Sequence, residues 1–269
     1  MKLFSSVLIA ASLATAAPAL AMPACAPAVE IPHLPIARVE KNGDLISPDG
    51  RAVKPEGILL PAGARDHAPQ FLAAQAVQQL SDLTRGRVIA VAANPPKEDR
   101  YGRIRAQAFF TDGDSEDWLQ IAMLKRGLAR VSILPDRPEC AADLYAAEAY
   151  ARANRFGIWA IDAYAIRDAS TISLGDLGTF QIVQGTVTNA SVRDGRAYIN
   201  FGADYRNDFT VTVSPDDLKT FRDAGIDPAN YAGKTIRVRG IVEKLNGPEI
   251  EIASPQSVEM VTDLRPALH

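Results

Sequence analysis

Asp99-Arg100-Tyr101-Gly102-Arg103 runs directly into Ile104-Arg105-Ala106-Gln107-Ala108-Phe109-Phe110, and this stretch decides how the chain is read. An acidic residue, a glycine turn and two flanking arginines lead into a strand-like segment with apolar positions. Two pieces lie downstream of it. Leu124 through Val131 (LKRGLARV) holds Gly127 as a helix stop. Leu144 through Trp159 (LYAAEAYARANRFGIW) reads as a helix closed by Phe156-Gly157-Ile158-Trp159.

Upstream, Pro69 to Leu83 reads as a helix whose Phe71, Leu72, Ala76, Leu80 and Leu83 recur at helical spacing. Val88 to Ala93 reads as a strand. Pro23, Pro27, Pro32 and Pro35 make residues 22–35 an extended lead-in. Asn42-Gly43 and Asp49-Gly50 are hairpin turns, and Ala52 to Leu60 is a strand broken by Pro55. Asp112-Gly113 turns the chain before a helix from Asp117 to Arg126. A third helix is expected from Pro138 to Asn154.

After a stretch without periodicity the pattern changes to strands. Gln181 to Thr188, Ala197 to Phe201 and Phe209 to Val213 alternate, with a turn at Asp194-Gly195. Pro215 to Ala224 is a short helix capped by Ser214, with Asp217 three residues on. Thr235 to Val242 and Glu249 to Ile252 flank the hairpin turn Asn246-Gly247. Strand, strand, strand, helix, strand, strand is the order of a five-stranded Greek-key barrel of the OB type. The expected architecture is α+β. A signal peptide over residues 1–21 precedes a helix-bearing OB barrel over 22–165. A linker over 166–178 leads to a second OB-like barrel over 179–265.

The leader has a positive start at Lys2, an apolar run from Leu3 to Ala16, and Ala19-Leu20-Ala21 as a small-x-small cleavage pattern. That run is too short and too rich in Ala and Ser for a good membrane span. The mature chain is therefore expected in the periplasm or outside the cell. In such an oxidising compartment the two cysteines suggest a bridge between Cys25 and Cys140, with two free thiols as the alternative. His33, His67 and His269 are scattered and give no zinc spacing. A net charge of −3 over 269 residues argues against a strongly basic nucleic-acid binder and leaves a local basic cleft open.

The three pieces resemble the staphylococcal nuclease (thermonuclease) family. Asp99 to Arg103 is similar to its D-x-Y-G-R turn, and LKRGLARV to its L-x-x-G-L-A-x-V segment. Leu144 to Trp159 is similar to its closing helix, L-x-x-A-E-x-x-A-R followed by G-I-W. All three occur in family order. The resemblance covers residues 36–160 and implies a five-stranded OB-type barrel with three helices. It also implies a calcium-dependent phosphodiesterase. In the family pattern R-L-x-G-I-D-x-P-E, the Asp helps bind Ca²⁺ and the Glu is the general base. The leading arginine and the one ending D-x-Y-G-R hold the phosphate. A hard cation takes carboxylate oxygens, and spread negative charge on phosphorus oxygens suits guanidinium groups.

Against that pattern the chain keeps one half and loses the other. Arg103 matches the second arginine. Val53 to Ala62 falls on the other segment, where Gly57, Ile58 and Pro61 match. Lys54 stands at the first arginine, Leu59 at the metal Asp and Ala62 at the general-base Glu; Asp44 matches the other calcium aspartate. Lysine does not replace arginine at a bidentate phosphate site. Losing a general base removes ~10²–10⁴-fold in rate. Arg103 and Lys54 are thus expected as vestigial phosphate contacts and Asp44 as a vestigial metal ligand. Glu56, Asp66 and Asp99 are the carboxylates a rearranged site would recruit. No cofactor is expected, calcium entering only with such a rearranged site. Arg103 also reads as half of a structural salt bridge with Asp99. Glu148 and Arg152, one turn apart, read as a surface pair.

In the second barrel Tyr198, Tyr205 and Arg206 are the candidates for stacking nucleic-acid bases. Ile199, Phe201, Phe209, Val211 and Val213 alternate into a core. This half is more acidic than basic, which weighs against tight polyanion binding. The leading expectation is a non-catalytic exported module that binds a protein or an envelope partner such as a glycan. A phosphodiesterase with a rearranged site and a non-hydrolytic nucleic-acid binder are the alternatives.

Overall fold

Pro32 and Pro35 cannot donate to a β-ladder, so a strand that contains them needs one unpaired edge. The computed structural model, which describes residues 22–111 and 118–261, shows such a strand. β1 (Val29–Pro35) lies at the end of its sheet and pairs antiparallel with β6 (Val88–Ala92). The proline-rich lead-in therefore ends as part of the first barrel. The leader, the Asp112-Gly113 turn and residues 262–265 of the second barrel's expected span lie outside the described residues.

The pairing continues from the chain just after β1. β2 (Arg38–Val39) pairs antiparallel with β3 (Leu45–Ile46), and β3 with β4 (Ala52–Pro55). β4 pairs parallel with β7 (Ile104–Phe110), and β7 antiparallel with β6, which returns to β1. β1 and β2, consecutive in the chain, lie at the two ends of this six-stranded sheet, the strand order of an OB-type Greek-key barrel. Its core holds Leu34, Leu45, Val53, Val91, Ala108 and Phe110. β5 (Gly57–Leu59) pairs aside with β8 (Arg130–Ser132). Three helices pack alongside, α1 (Phe71–Thr84), α2 (Leu119–Lys125) and α3 (Ala141–Ala153).

Two details of the helices differ from the sequence expectation. Phe71 is 62% exposed, because the buried stripe of α1 is Leu72, Ala76, Leu80 and Thr84, at steps of four that leave position 71 outside. α3 starts at Ala141 rather than Pro138, since Cys140 has a left-handed backbone, φ 62°.

The glycines of two motifs meet each other. Gly127 and Gly157 both have positive φ, and the Ile158 amide donates to the Gly127 carbonyl at 2.9 Å. A Cβ on Gly127 would lie 2.0 Å from the Phe156 carbonyl oxygen. Backbone passes against backbone here, and only glycine leaves room.

The second half repeats the circuit with unrelated residues. β9 (Arg167–Asp168) precedes β10 (Phe180–Thr186), β11 (Asn189–Arg193), β12 (Arg196–Asn200) and β13 (Thr210–Val213). After α4 (Leu218–Asp223) come β14 (Thr235–Ile241), β15 (Glu243–Lys244), β16 (Pro248–Glu251) and β17 (Val258–Met260). β11, β12 and β13 pair in turn; β13 runs parallel to β16, β16 pairs with β15, and β14 pairs with β10. The expected hairpin is thus split. β14 serves β10 and β17, and only its short continuation β15 meets β16. Bending round the barrel at Val242 separates the two partners.

The two barrels touch along α3, β8 and the face of β10. Expected alternation fails at the start of β10, where Phe180, Gln181, Ile182 and Val183 are all buried. Val183 enters the second core, while Phe180 and Ile182 join Leu72, Trp159 and Tyr164 of the first half. Glu148 and Arg152 are not a surface pair. Glu148 is fully buried, and its carboxylate accepts from the Val131 amide at 2.7 Å, Arg152 at 2.7 Å and Arg239 of the second barrel at 3.0 Å. No helix among the described residues is long and apolar enough to cross a membrane.

Candidate functional site

The D-x-Y-G-R turn is built around its own aspartate. One Asp99 carboxylate oxygen accepts from the Tyr101 amide at 2.9 Å and the Arg103 amide at 3.1 Å. The other accepts from Arg103 Nε at 2.8 Å and lies 2.6 Å from its terminal nitrogen. Gly102 at φ 72° lets the chain reverse between them. Burial raises the Asp99 carboxyl, but the Arg103 guanidinium and the two amides outweigh it and bring it down to about 2.

Arg103 reaches a second carboxylate. Its terminal nitrogen donates to Asp44 Oδ2 at 3.1 Å, and that same oxygen accepts from Asn42 Nδ2 at 2.7 Å. Hydrogen bonding to Asp99 first, and then to Asp44, raises the arginine pKa further. The structure therefore brings Asp44, from the turn before β3, to Asp99 and Arg103 of the later turn.

Two residues after Arg103, on β7, stands Arg105. Sequence reading gave it no role, although its spacing from Arg103 was a usable signal. It donates from Nε to buried Glu56 at 3.1 Å and forks onto Asp136 at 2.7 and 2.9 Å. Asp136 comes from the loop after β8 and carries no local motif. Its carboxyl is lowered, chiefly by the hydrogen bond from Arg105. Lys54 is the strand partner of Arg105, and its Nζ lies 3.5 Å from Glu56. A cavity of about 480 Å³ opens here, lined by Lys54, Glu98, Asp99, Arg100, Tyr101 and Arg105. Tyr101 is 67% exposed, with the guanidinium of Arg100 4.8 Å and that of Arg103 5.2 Å from its ring centre.

Other candidates lie elsewhere. Leu59 packs against the apolar cluster shared with the second barrel. The Ala62 amide donates to Asp66 at 2.6 Å, and Asp66 is buried under Arg130 and Tyr164, at 2.9 Å from each. Asp66 thus serves the contact between barrels rather than the cavity. Cys25 and Cys140 are bonded, S–S 2.01 Å, with Asp143 beside them. In the second barrel Tyr198 is half-buried on β12. Tyr205 is exposed in the loop after it, with Arg206 stacked 5.5 Å from its ring.

No curated protein matches the chain. A family match begins just after β5, excluding Lys54 and Leu59 but spanning the Asp99 turn, the Gly127 segment and α3. Residues 61–161 match the family model described as Staphylococcal nuclease homologue, and this part of the chain is a domain of the staphylococcal nuclease family.

Proposed function

We propose that this chain is an exported, non-catalytic binding module built on a nuclease fold. The observation that carries this reading is the closure of both arginines by carboxylates: Arg103 by Asp99 and Asp44, Arg105 by Glu56 and Asp136. A phosphate clamp needs guanidinium donors free to face the substrate. Here the forks already face acids of the protein itself.

The donor set also fits calcium poorly. Asp44 shares one oxygen between Arg103 and Asn42. Leu59 and Ala62, at the positions of the family's metal Asp and general base, offer no side-chain oxygen. An active phosphodiesterase with a rearranged site would have to free Arg103 from two carboxylates first. Nucleic-acid binding without hydrolysis draws support from exposed Tyr101 beside Arg100.

Export is supported by the leader pattern over residues 1–21 and by the Cys25–Cys140 bond, which oxidising compartments favour. The partner is then a protein or glycan of the cell envelope. The test is incubation of the mature protein with single-stranded DNA and Ca²⁺. No hydrolysis above background is expected. Hydrolysis that disappears in Arg103→Ala would overturn the reading, and salt-sensitive retention of DNA without cleavage would favour the nucleic-acid binder.

A further inference from the structure

Sulfur and carboxylate converge at the start of α3. Cys25 Sγ, Cys140 Sγ and an oxygen of Asp143 all lie within 4.8 Å of one another. Asp143 Oδ2 stands 3.2 Å from Cys25 Sγ. With both thiol protons gone, neither sulfur of the bridge can donate to that carboxylate. The contact therefore gives the closed bond no hydrogen bond. What it does is complete a cluster of two sulfurs and one carboxylate oxygen, donors that zinc takes.

Local structure places each of the three apart from the bridge itself. Cys140 is the N-cap of α3, and its carbonyl accepts from the Leu144 amide at 3.1 Å. Asp143 lies in the first turn of that helix, three residues on, and these are the two positions whose side chains meet in a capping box. The helix N-terminus favours the ionised carboxylate. Cys25 sits in a turn closed by the Ala26 amide on the Pro23 carbonyl at 2.9 Å. Ala26 packs against the cluster of Ala90, Ala92 and Phe109. Opening the S–S bond thus frees two thiols on backbone that other contacts also hold.

The donor set selects the ion. Two thiolates are too soft for calcium or magnesium, and copper(I) gains little from a carboxylate. Zinc accepts both donor types. On one tetrahedral zinc, a sulfur at about 2.3 Å and an oxygen at about 2.0–2.2 Å stand about 3.5 Å apart. Asp143 and Cys25 are already close to that separation. Three protein ligands leave a fourth position open. Asp143 and Pro23 line a cavity of about 1030 Å³ together with Trp118, Ile121, Tyr150 and Phe156, so water can fill that position.

We propose that the reduced chain binds one Zn²⁺ through Cys25, Cys140 and Asp143, and that metal and bridge are alternative states of the same two sulfurs. A dithiol gives two electrons and two protons to the S–S bond and leaves as its own disulfide. Zinc then displaces the two protons from the cysteine thiols. A disulfide oxidant takes the two electrons back, the S–S bond closes and the ion is released. The proposal uses no residue of the Arg103 and Arg105 cluster and stands whether or not that cluster is catalytic.

The test reduces the full mature chain with a dithiol under argon, removes the dithiol by gel filtration, and titrates with Zn²⁺ or Co²⁺ in weak buffer. The reduced chain is expected to take up one ion and release two protons, and Co²⁺ to give a thiolate-to-cobalt charge-transfer band. The oxidised chain should do neither. Asp143→Asn keeps the side chain's size and should weaken binding by roughly tenfold or more, with the fold of the oxidised variant unchanged. Asp82→Asn, on α1, should bind as wild type does. Bound zinc should also slow closure of the bridge by oxidised glutathione. No uptake at micromolar zinc overturns the proposal, as does equal uptake by the oxidised chain or by Asp143→Asn. Loss of the near-ultraviolet dichroism of the fold on reduction overturns it too, since an unfolded chain has none of this geometry.

Discussion

Arg239, on β14 of the second barrel, donates from both terminal nitrogens to Glu148, on α3 of the first, at 3.0 Å, and neither side chain is more than 2% exposed. Burial works against the charge on Arg239, but Glu148, Tyr145 and Glu259 outweigh it and raise its pKa. Removing one member of a buried pair strands the other. Arg239→Met is expected to cost about 3–5 kcal/mol in urea unfolding. Adding Glu148→Leu should recover part of that loss, although Val131 and Arg152 also lose their acceptor. A loss below ~1 kcal/mol from Arg239→Met would mean that the barrels do not depend on this contact.

The Cys25–Cys140 bond closes a separation of 115 residues. It also holds the segment whose Met22 and Ala26 pack against the cluster of Ala90, Ala92 and Phe109. Chain entropy alone gives ~4–5 kcal/mol for a loop of this size, and measured values are often smaller. Replacing both cysteines by serine should therefore cost about 2–4 kcal/mol. Reducing agent should shift the wild-type denaturation midpoint to that of the variant. Unchanged midpoints in both experiments would show that the bridge adds nothing.

Local chemistry made much of this fold legible. The turn at Asp99 to Arg103 works through contacts four residues apart or fewer, so its pattern and its structure coincide. Gly127 and Gly157 could be read as helix stops, but their meeting across 30 residues leaves no trace in either neighbourhood. The contact between barrels hides for the same reason. Glu148 and Arg152 at one-turn spacing look like any solvated pair, and nothing near them points to Arg239. β1 was obscured differently, since its prolines argue against a strand unless its edge position is known. At the candidate site, Arg103 and Asp44 were legible through motif. Arg105, Glu56 and Asp136 form a cluster only once β4, β7 and the loop after β8 are folded together.

Asp99 ties the turn to acid stability. Its folded carboxyl sits at about 2, against an ordinary value of 3.8. A group depressed on folding stabilises above its unfolded pKa, and that contribution is lost as pH falls through the folded value. The window therefore runs from roughly pH 4 down to roughly pH 2, with about 1–2 kcal/mol at stake once solvent contact of the pair is allowed for. Asp99→Asn should start less stable at neutral pH and lose less across that window. Wild type and variant curves that run parallel in acid would refute the role of Asp99.

Restoring the family's residues should not restore a nuclease. Lys54→Arg, Leu59→Asp and Ala62→Glu together rebuild the expected pattern in sequence. In the fold, Leu59 packs against the cluster that holds Trp159, Tyr164, Phe180 and Ile182. A carboxylate there forfeits that packing and loses hydration, so Leu59→Asp alone should cost about 1–3 kcal/mol. Asp44 would still be tied to Arg103, and Arg105 to Glu56 and Asp136. The expected outcome for the triple variant is a lower melting temperature and no faster cleavage of single-stranded DNA with Ca²⁺ than wild type. A gain of about a hundredfold, the scale of a recovered general base, would mean that the carboxylates can still be drawn into one site and that the two arginines open when substrate arrives.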